Sequence, residues 1–432
     1  MDGKIKNFKG NRMLNKATNL NAFWAYNVND LPKDKQLLLL DNVQFIYELA
    51  LAQLELQSLG AQFEMTNGLR EFRLLSTKDE NSLRKKVAYF KFVRGKPTDY
   101  FHIIQKNKTR SVNQYLTHWI YPYKGKFHPQ MIRALINIIG LKTDDTVLDP
   151  FIGSGTTAVE AQLLGINCIG VDVSPLCILQ SKVKTESVDA LAEIKSYKDE
   201  AIRKFKTDLF TNNIGVVRDS VNCIPDDRVK NFYGMAELVA LSDNARRGRE
   251  FNSAFLRNLD MMIGSVEDFK NIVEMLKLQL GRIDIRTGDA RKLQLQDESI
   301  DGIITSPPYS IALDYVANDA HALLNLGYDL NEFREEFIGV RGRGGTKIEL
   351  YNDDMTKSLK EMFRVLKYNK YAAIVIGNAT YQGVEVKTVE FTTASAEAIG
   401  FKLVKNIDKI IFGLYNVMQK ENILIFQKIE GR

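Results

Sequence analysis

The chain is poor in the residues that carry metal and redox chemistry. Its 432 residues hold three cysteines, Cys168, Cys177 and Cys223, and four histidines. An odd set of cysteines without a C-x-x-C pair excludes a disulfide framework and a zinc knuckle, and reads as reduced thiols in a cytoplasmic protein. No catalytic metal is expected. No apolar run approaches the roughly 20 residues that span a bilayer, and Leu37 to Leu40 falls far short. The opening stretch MDGKIKNFKGNR lacks a following apolar segment, so it does not resemble a secretory signal. Prolines number nine, which gives weight to an adjacent pair at Pro307 and Pro308.

Charge is ordinary in amount and uneven in place. The formal net charge is +6, yet residues 1–125 carry 20 Lys and Arg against 11 Asp and Glu, so the remainder is slightly acidic. A basic first third suits a polyanionic partner, because phosphate neutralisation supplies most non-specific nucleic-acid affinity. Lysines that merely solvate helices are the alternative.

Two motifs carry the chemistry. In TVLDPFIGSGTTAVEAQLLG, residues 146–165, an apolar strand ends in Asp149 and Pro150-Phe151 leads into a turn at Gly153, Ser154 and Gly155. Thr156 and Thr157 then open a helix, and CIGVD forms the next strand with Asp172 at its carboxyl end, followed by Val173. An acid there can bond both ribose hydroxyls of a nucleoside. A pyrophosphate would be repelled by Asp149, whereas the ammonium and sulfonium of S-adenosylmethionine would be attracted. The second motif, DGIITSPPY, is a buried strand closed by Ser306, Pro307, Pro308 and Tyr309. Prolines stiffen the backbone, the serine can bond an amine, and the tyrosine ring can stack on a base. A plain strand-ending turn is the competing reading.

DPFIGSGTT together with TSPPY resembles the amino-methyltransferases of DNA, which methylate N4 of cytosine or N6 of adenine. HWIYPYKGKFHPQMIRALI, residues 118–136, is similar to the element that folds over the methionine end of the cofactor in that family, and places Phe127 and Pro129 beside it. The resemblance implies a class I methyltransferase fold: α/β, Rossmann-like, a mainly parallel seven-stranded sheet with helices on both faces. It implies S-adenosylmethionine as cofactor, S-adenosylhomocysteine as product, and DNA as substrate. Asp289, after the strand RIDIRTGD, and its neighbour Ala290 would then face the adenine of the cofactor. The serine before the prolines leans toward cytosine N4; adenine N6 and an exocyclic amine of RNA are alternatives. A cofactor-binding nucleic-acid subunit without catalysis is the non-enzyme reading. No Pro-Cys pair occurs, which argues against attack on C5 of cytosine. A cognate restriction endonuclease is an expected partner class, and no membrane partner is expected. Oligomeric state is not legible.

Four regions follow. Residues 1–110 read as a basic α+β unit, with a leucine-rich helix from about Lys35 to Gly60 and strand-like runs EFRLL and VAYFKFVRG. Residues 111–185 form the cofactor half. Residues 186–282 form a mainly helical insertion, too long for a loop and a candidate for target recognition. There, Arg246, Arg247 and Arg249 are candidate phosphate contacts, with Arg257 nearby. Residues 283–432 form the catalytic half, with a Gly/Arg segment around Arg341 and Arg343 suited to closing on phosphates. KLVKNIDKIIF and ENILIFQKI read as two closing strands, the last antiparallel.

Overall fold

The computed structural model describes residues 37–65, 69–109, 111–123, 125–208, 221, 223–308, 314–342, 346–381, 383–412 and 418–430. The first sheet is antiparallel and small, in the order β2-β3-β1-β4-β5. Its strands are β1 (Leu37–Leu39), β2 (Gln62–Met65), β3 (Glu71–Ser76), β4 (Phe90–Val93) and β5 (Lys96–Pro97). The expected single helix from Lys35 to Gly60 is corrected here: Leu37 and Leu39 are buried in strand β1, and the helix runs from Ile46 to Ser58. Four consecutive leucines satisfy either period, and cross-strand pairing of Leu37 with Phe72 and Val93 settles it.

The main sheet has seven strands in the order β13-β14-β10-β9-β6-β7-β8. They are β6 (Thr146–Asp149), β7 (Asn167–Asp172), β8 (Ile283–Thr287), β9 (Ile300–Thr305), β10 (Leu366–Ile376), β13 (Phe401–Phe412) and β14 (Met418–Lys428). A short hairpin of β11 (Ala379–Tyr381) and β12 (Val384–Val386) stands apart. Strand β14 runs antiparallel to both its neighbours, and the β10-β9-β6-β7-β8 ladder is parallel. This is the α/β arrangement of class I methyltransferases.

Alternation along the strands builds two cores. Val147, Ile304, Ala373, Val375, Ile423 and Ile425 face one side, and Leu148, Ile303, Ala372, Ile374, Leu424 and Phe426 face the other. Apolar residues at successive positions are what a sheet covered on both faces demands. The first core is continuous with the amino-terminal sheet through Leu51, Phe90 and Ile136. Between β7 and β8 the chain forms helices Pro175–Glu186, Leu191–Asp208, Asp227–Arg247 and Phe251–Leu276, the last two packed together. No described helix is long and apolar enough to cross a membrane.

Candidate active site at the carboxyl edge of the sheet

Strand order sets the site. Strands β6 and β9 are neighbours at the centre, so the ends of the two motifs meet there. Thr305 Oγ1 donates to Asp149 Oδ1 at 2.6 Å, Thr157 Oγ1 donates to Asp149 Oδ2 at 2.7 Å, and the Phe151 amide donates to Oδ1 at 3.2 Å. Asp149 is buried and lies behind the cavity wall, joining the glycine loop to the strand of the Pro-Pro motif. Burial pushes its carboxyl up to about 6 despite those three donors.

The glycine turn is dictated by space. Gly153 and Gly155 have φ of +48° and +77°, and a Cβ on Gly155 would stand 2.8 Å from Ser181 Oγ. A side chain there is excluded on both counts. The Gly153 amide donates to Asp172 Oδ2 at 3.0 Å and the Ser174 amide to Oδ1 at 2.9 Å, so Asp172 closes the loop from the next strand. Burial raises its carboxyl to about 6, outweighing the two amides.

A cavity of about 660 Å³ runs along this edge. Of the residues singled out in the sequence, Phe127, Pro150, Phe151, Gly153, Asp172, Val173, Asp289, Ala290, Ser306 and Pro308 line it. Ser154, Gly155, Thr156, Thr157, Pro129 and Pro307 do not; Pro129 is a buried first-turn residue of helix Pro129–Ile138. Tyr309 and Arg343 lie outside the described residues. Asp289 accepts from the backbone amide and the guanidinium of Arg291, which also reaches the buried Asp354.

Arg341, expected to contact phosphate, makes its described hydrogen bonds within the protein. Its guanidinium bonds Asp354 at 2.8 and 2.6 Å, and Asp354 also accepts from Arg291, which bonds Asp289. Arg247, Arg249 and Arg257 converge on Asp243, at 2.8, 3.1 and 2.6 Å, away from the cavity. One aspartate among three guanidiniums leaves the cluster cationic, while committing each arginine to a tertiary bond. The side chain of Arg246 is outside the described residues.

Several further residues line the cavity. Tyr123, Lys126, Tyr315 and Phe337 lie toward the segment that precedes the glycine loop, with Tyr315 and Phe337 stacked at 5.9 Å. Lys126 donates to the His118 carbonyl at 2.6 Å, and burial brings its ammonium down to about 7. At the other end are Asn378, Glu385, Lys409, Lys420 and Glu421. Tyr351 supports the motif from behind, its hydroxyl donating to the Pro308 carbonyl at 2.8 Å. An aromatic residue in a helix gives no local sign of such a bond.

The donor set fits S-adenosylmethionine. Buried acids raised toward neutrality are stabilised by hydroxyl donors and by a cation, and the apolar faces of Phe151, Val173 and Ala290 suit a flat ring. Among the described residues, no cluster of His, Cys, Asp or Glu could hold a metal ion.

Comparison with known proteins agrees with this geometry. Residues 13–182 match the family model described as DNA methylase. The chain is 37% identical over 111 residues to the Type II methyltransferase M.MjaII of Methanocaldococcus jannaschii, covering 26% of this chain and 19% of that one. It is 24% identical over 349 residues to the Type II methyltransferase M.BsoBI of Geobacillus stearothermophilus, covering 65% and 67%. It is 23% identical over 392 residues to the Type II methyltransferase M.MvaI of Kocuria varians, covering 66% and 85%. The chain thus spans about a fifth of the first relative and two thirds of the second. With its glycine loop, Pro-Pro motif and shared cavity, the chain is similar to the DNA methylase family over residues 13–182 and to Type II methyltransferases over about two thirds of its length.

Proposed function

We propose that this protein methylates an exocyclic amine of a base in double-stranded DNA, with cytosine N4 favoured over adenine N6. The observation that carries the reading is the meeting of the two motifs in one cavity: Asp172 and Asp289 on one side of it, Ser306 and Pro308 at its centre. Asp172, Val173, Asp289 and Ala290 would hold the nucleoside of S-adenosylmethionine, and Phe127 and Tyr123 would cover its amino-acid end. Bound there, the cofactor supplies an electrophilic methyl group.

What the chain must do is prepare the amine. An aromatic amine delocalises its lone pair into the ring and is a poor nucleophile at rest. Acceptors aimed at its two hydrogens localise that pair and stabilise the charge that develops on nitrogen. Ser306 Oγ, on the cavity lining, is proposed for one of them, with a carbonyl of the adjoining Pro307-Pro308 pair for the other. The amine lies inside a duplex, so the base must be extruded, with Tyr309 stacking on it. No covalent intermediate with the enzyme is required, and positioning supplies most of the rate. The Type II names of the relatives support a modification role beside a restriction endonuclease.

The test is direct. DNA treated with the purified protein and isotopically labelled S-adenosylmethionine is digested to nucleosides and examined by mass spectrometry. N4-methylcytosine is expected. Label in RNA with none in DNA would overturn the reading, and N6-methyladenine would leave the reaction class standing and reverse the base.

A further inference from the structure

Strand order divides the cavity into two halves around Ser306. The ends of β6, β7 and β8 supply Phe151, Asp172 and Asp289 on one side. The other side, over β10, β14 and β13, is left for a base presented to Ser306 once the proposed cofactor occupies the first. Pairing of β10 with β14 ends at Ile376 with Asn422, whereas the β13-β14 hairpin continues to Phe412 with Met418. The hairpin therefore overhangs the carboxyl edge from Lys409 and Glu421 onward. Those two residues face each other in register, form an ion pair and line the cavity.

Resting on the function proposed above, we infer that Lys409, positioned by Glu421, reads the ring-carbonyl edge of the target pyrimidine. Lys409 as a whole is only 8% exposed, and a lysine is rarely buried unless it is paired. Glu421 takes one of its three donors. Glu48, the nearby acid on the amino-terminal side, is committed to the amides of Gln44 and Phe45 and caps its own helix. Strand β13 lies three places from β9, about 14 Å at the usual strand spacing. A single ring, hydrogen-bonded by Ser306 at one end and by a long lysine at the other, fills that span. Cytosine presents N3 and O2 beside its amine, both acceptors, whereas adenine presents N1 followed by a C–H. A cation at the far end of the edge therefore favours cytosine, because adenine would leave it facing a group that cannot accept. A cross-strand pair that only stiffens the hairpin would not discriminate between bases.

The experiment compares the wild-type chain with Lys409→Met and Lys409→Arg on two duplexes. One carries the site mapped from the wild-type product, and the other has adenine in place of the target base. Cofactor affinity is measured by calorimetry as a control on folding. The expected result for Lys409→Met is a fall in kcat/KM on cytosine of about tenfold to a hundredfold, with the adenine rate unchanged within about twofold. Lys409→Arg, which keeps a charged donor, should retain most of the cytosine preference. Equal losses on both duplexes, or no loss on either, would overturn the inference while leaving DNA methylation intact. A wild-type product of N6-methyladenine would also overturn it. A wild-type chain that leaves DNA unmethylated removes the underlying reading and this one with it.

Discussion

At the scale of single residues, Asp172 and Tyr351 do different jobs. Asp172 is the residue proposed to bond the ribose hydroxyls, and its carboxyl is raised to about 6. Hydroxyl donors bind the ionised form, so bound ligand favours loss of the proton. Cofactor affinity should be flat above pH 7 and weaken below about pH 6, approaching about tenfold per pH unit. Calorimetric titration between pH 5 and 8 checks this. Asp172→Asn should bind about a hundredfold more weakly, as expected for two lost charge-assisted bonds. Any slope left in that variant would report Asp149, which titrates in the same range. Tyr351 touches no proposed ligand, yet its hydroxyl fixes the carbonyl of Pro308. Tyr351→Phe should cost about 1 kcal/mol of stability and lower kcat about fivefold, with cofactor affinity unchanged. Stopped assays at saturating cofactor would show it, and a changed cofactor Kd would place Tyr351 elsewhere.

At the scale of elements, the contact between β6 and β9 couples the two motifs. Asp149 and Thr305 are both buried, and the bond between them ties the glycine loop to the strand that precedes Ser306. Thr305→Val keeps the shape and removes the donor, leaving a buried carboxylate oxygen with the Phe151 amide alone. Destabilisation of about 2 kcal/mol is expected in urea unfolding, with Asp149 pushed further toward its neutral form. The same pair shows what was legible beforehand. Strand ends, the glycine turn and both motifs follow from local pattern, because a parallel sheet needs apolar runs and its loops need particular backbone conformations. The partner of each buried polar group does not. Asp149 reads as an acid for a cation and proves to be bonded to two hydroxyls. Arg341 reads as a phosphate ligand and is bonded to Asp354, thirteen residues further along the chain in the helix Thr346–Val365. Lys409 and Glu421 lie in strands whose alternation is plain, but their facing one another over the cavity depends on hairpin register and on how far β10 extends. Long-range pairing decided each of these, and no periodicity encodes it.

At the scale of the whole molecule, the amino-terminal unit and the catalytic sheet are joined by buried polar groups as well as by a common apolar core. Glu160, in the helix after the glycine turn, accepts from Tyr115, His118 and Arg133, all buried. Glu55, in the helix Ile46–Ser58, accepts from Asn137 at 2.8 Å and from the Ala88 amide at 2.8 Å, while its Oε2 has no partner among the described residues. Burial raises the Glu55 carboxyl to about 7. The sign follows from linkage: with a folded value above the unfolded value of 4.5, its contribution to stability is full below 4.5 and is lost as pH rises through about 7. The full difference is about 3 kcal/mol. Glu55→Gln keeps the Oε1 acceptor and removes the ionisation. It should therefore match the wild type in stability near pH 4.5 and exceed it at pH 8, by up to that amount. Urea unfolding at the two pH values distinguishes this from a purely local effect, since a variant equally destabilised at both would mean that Oε2 has a partner it needs.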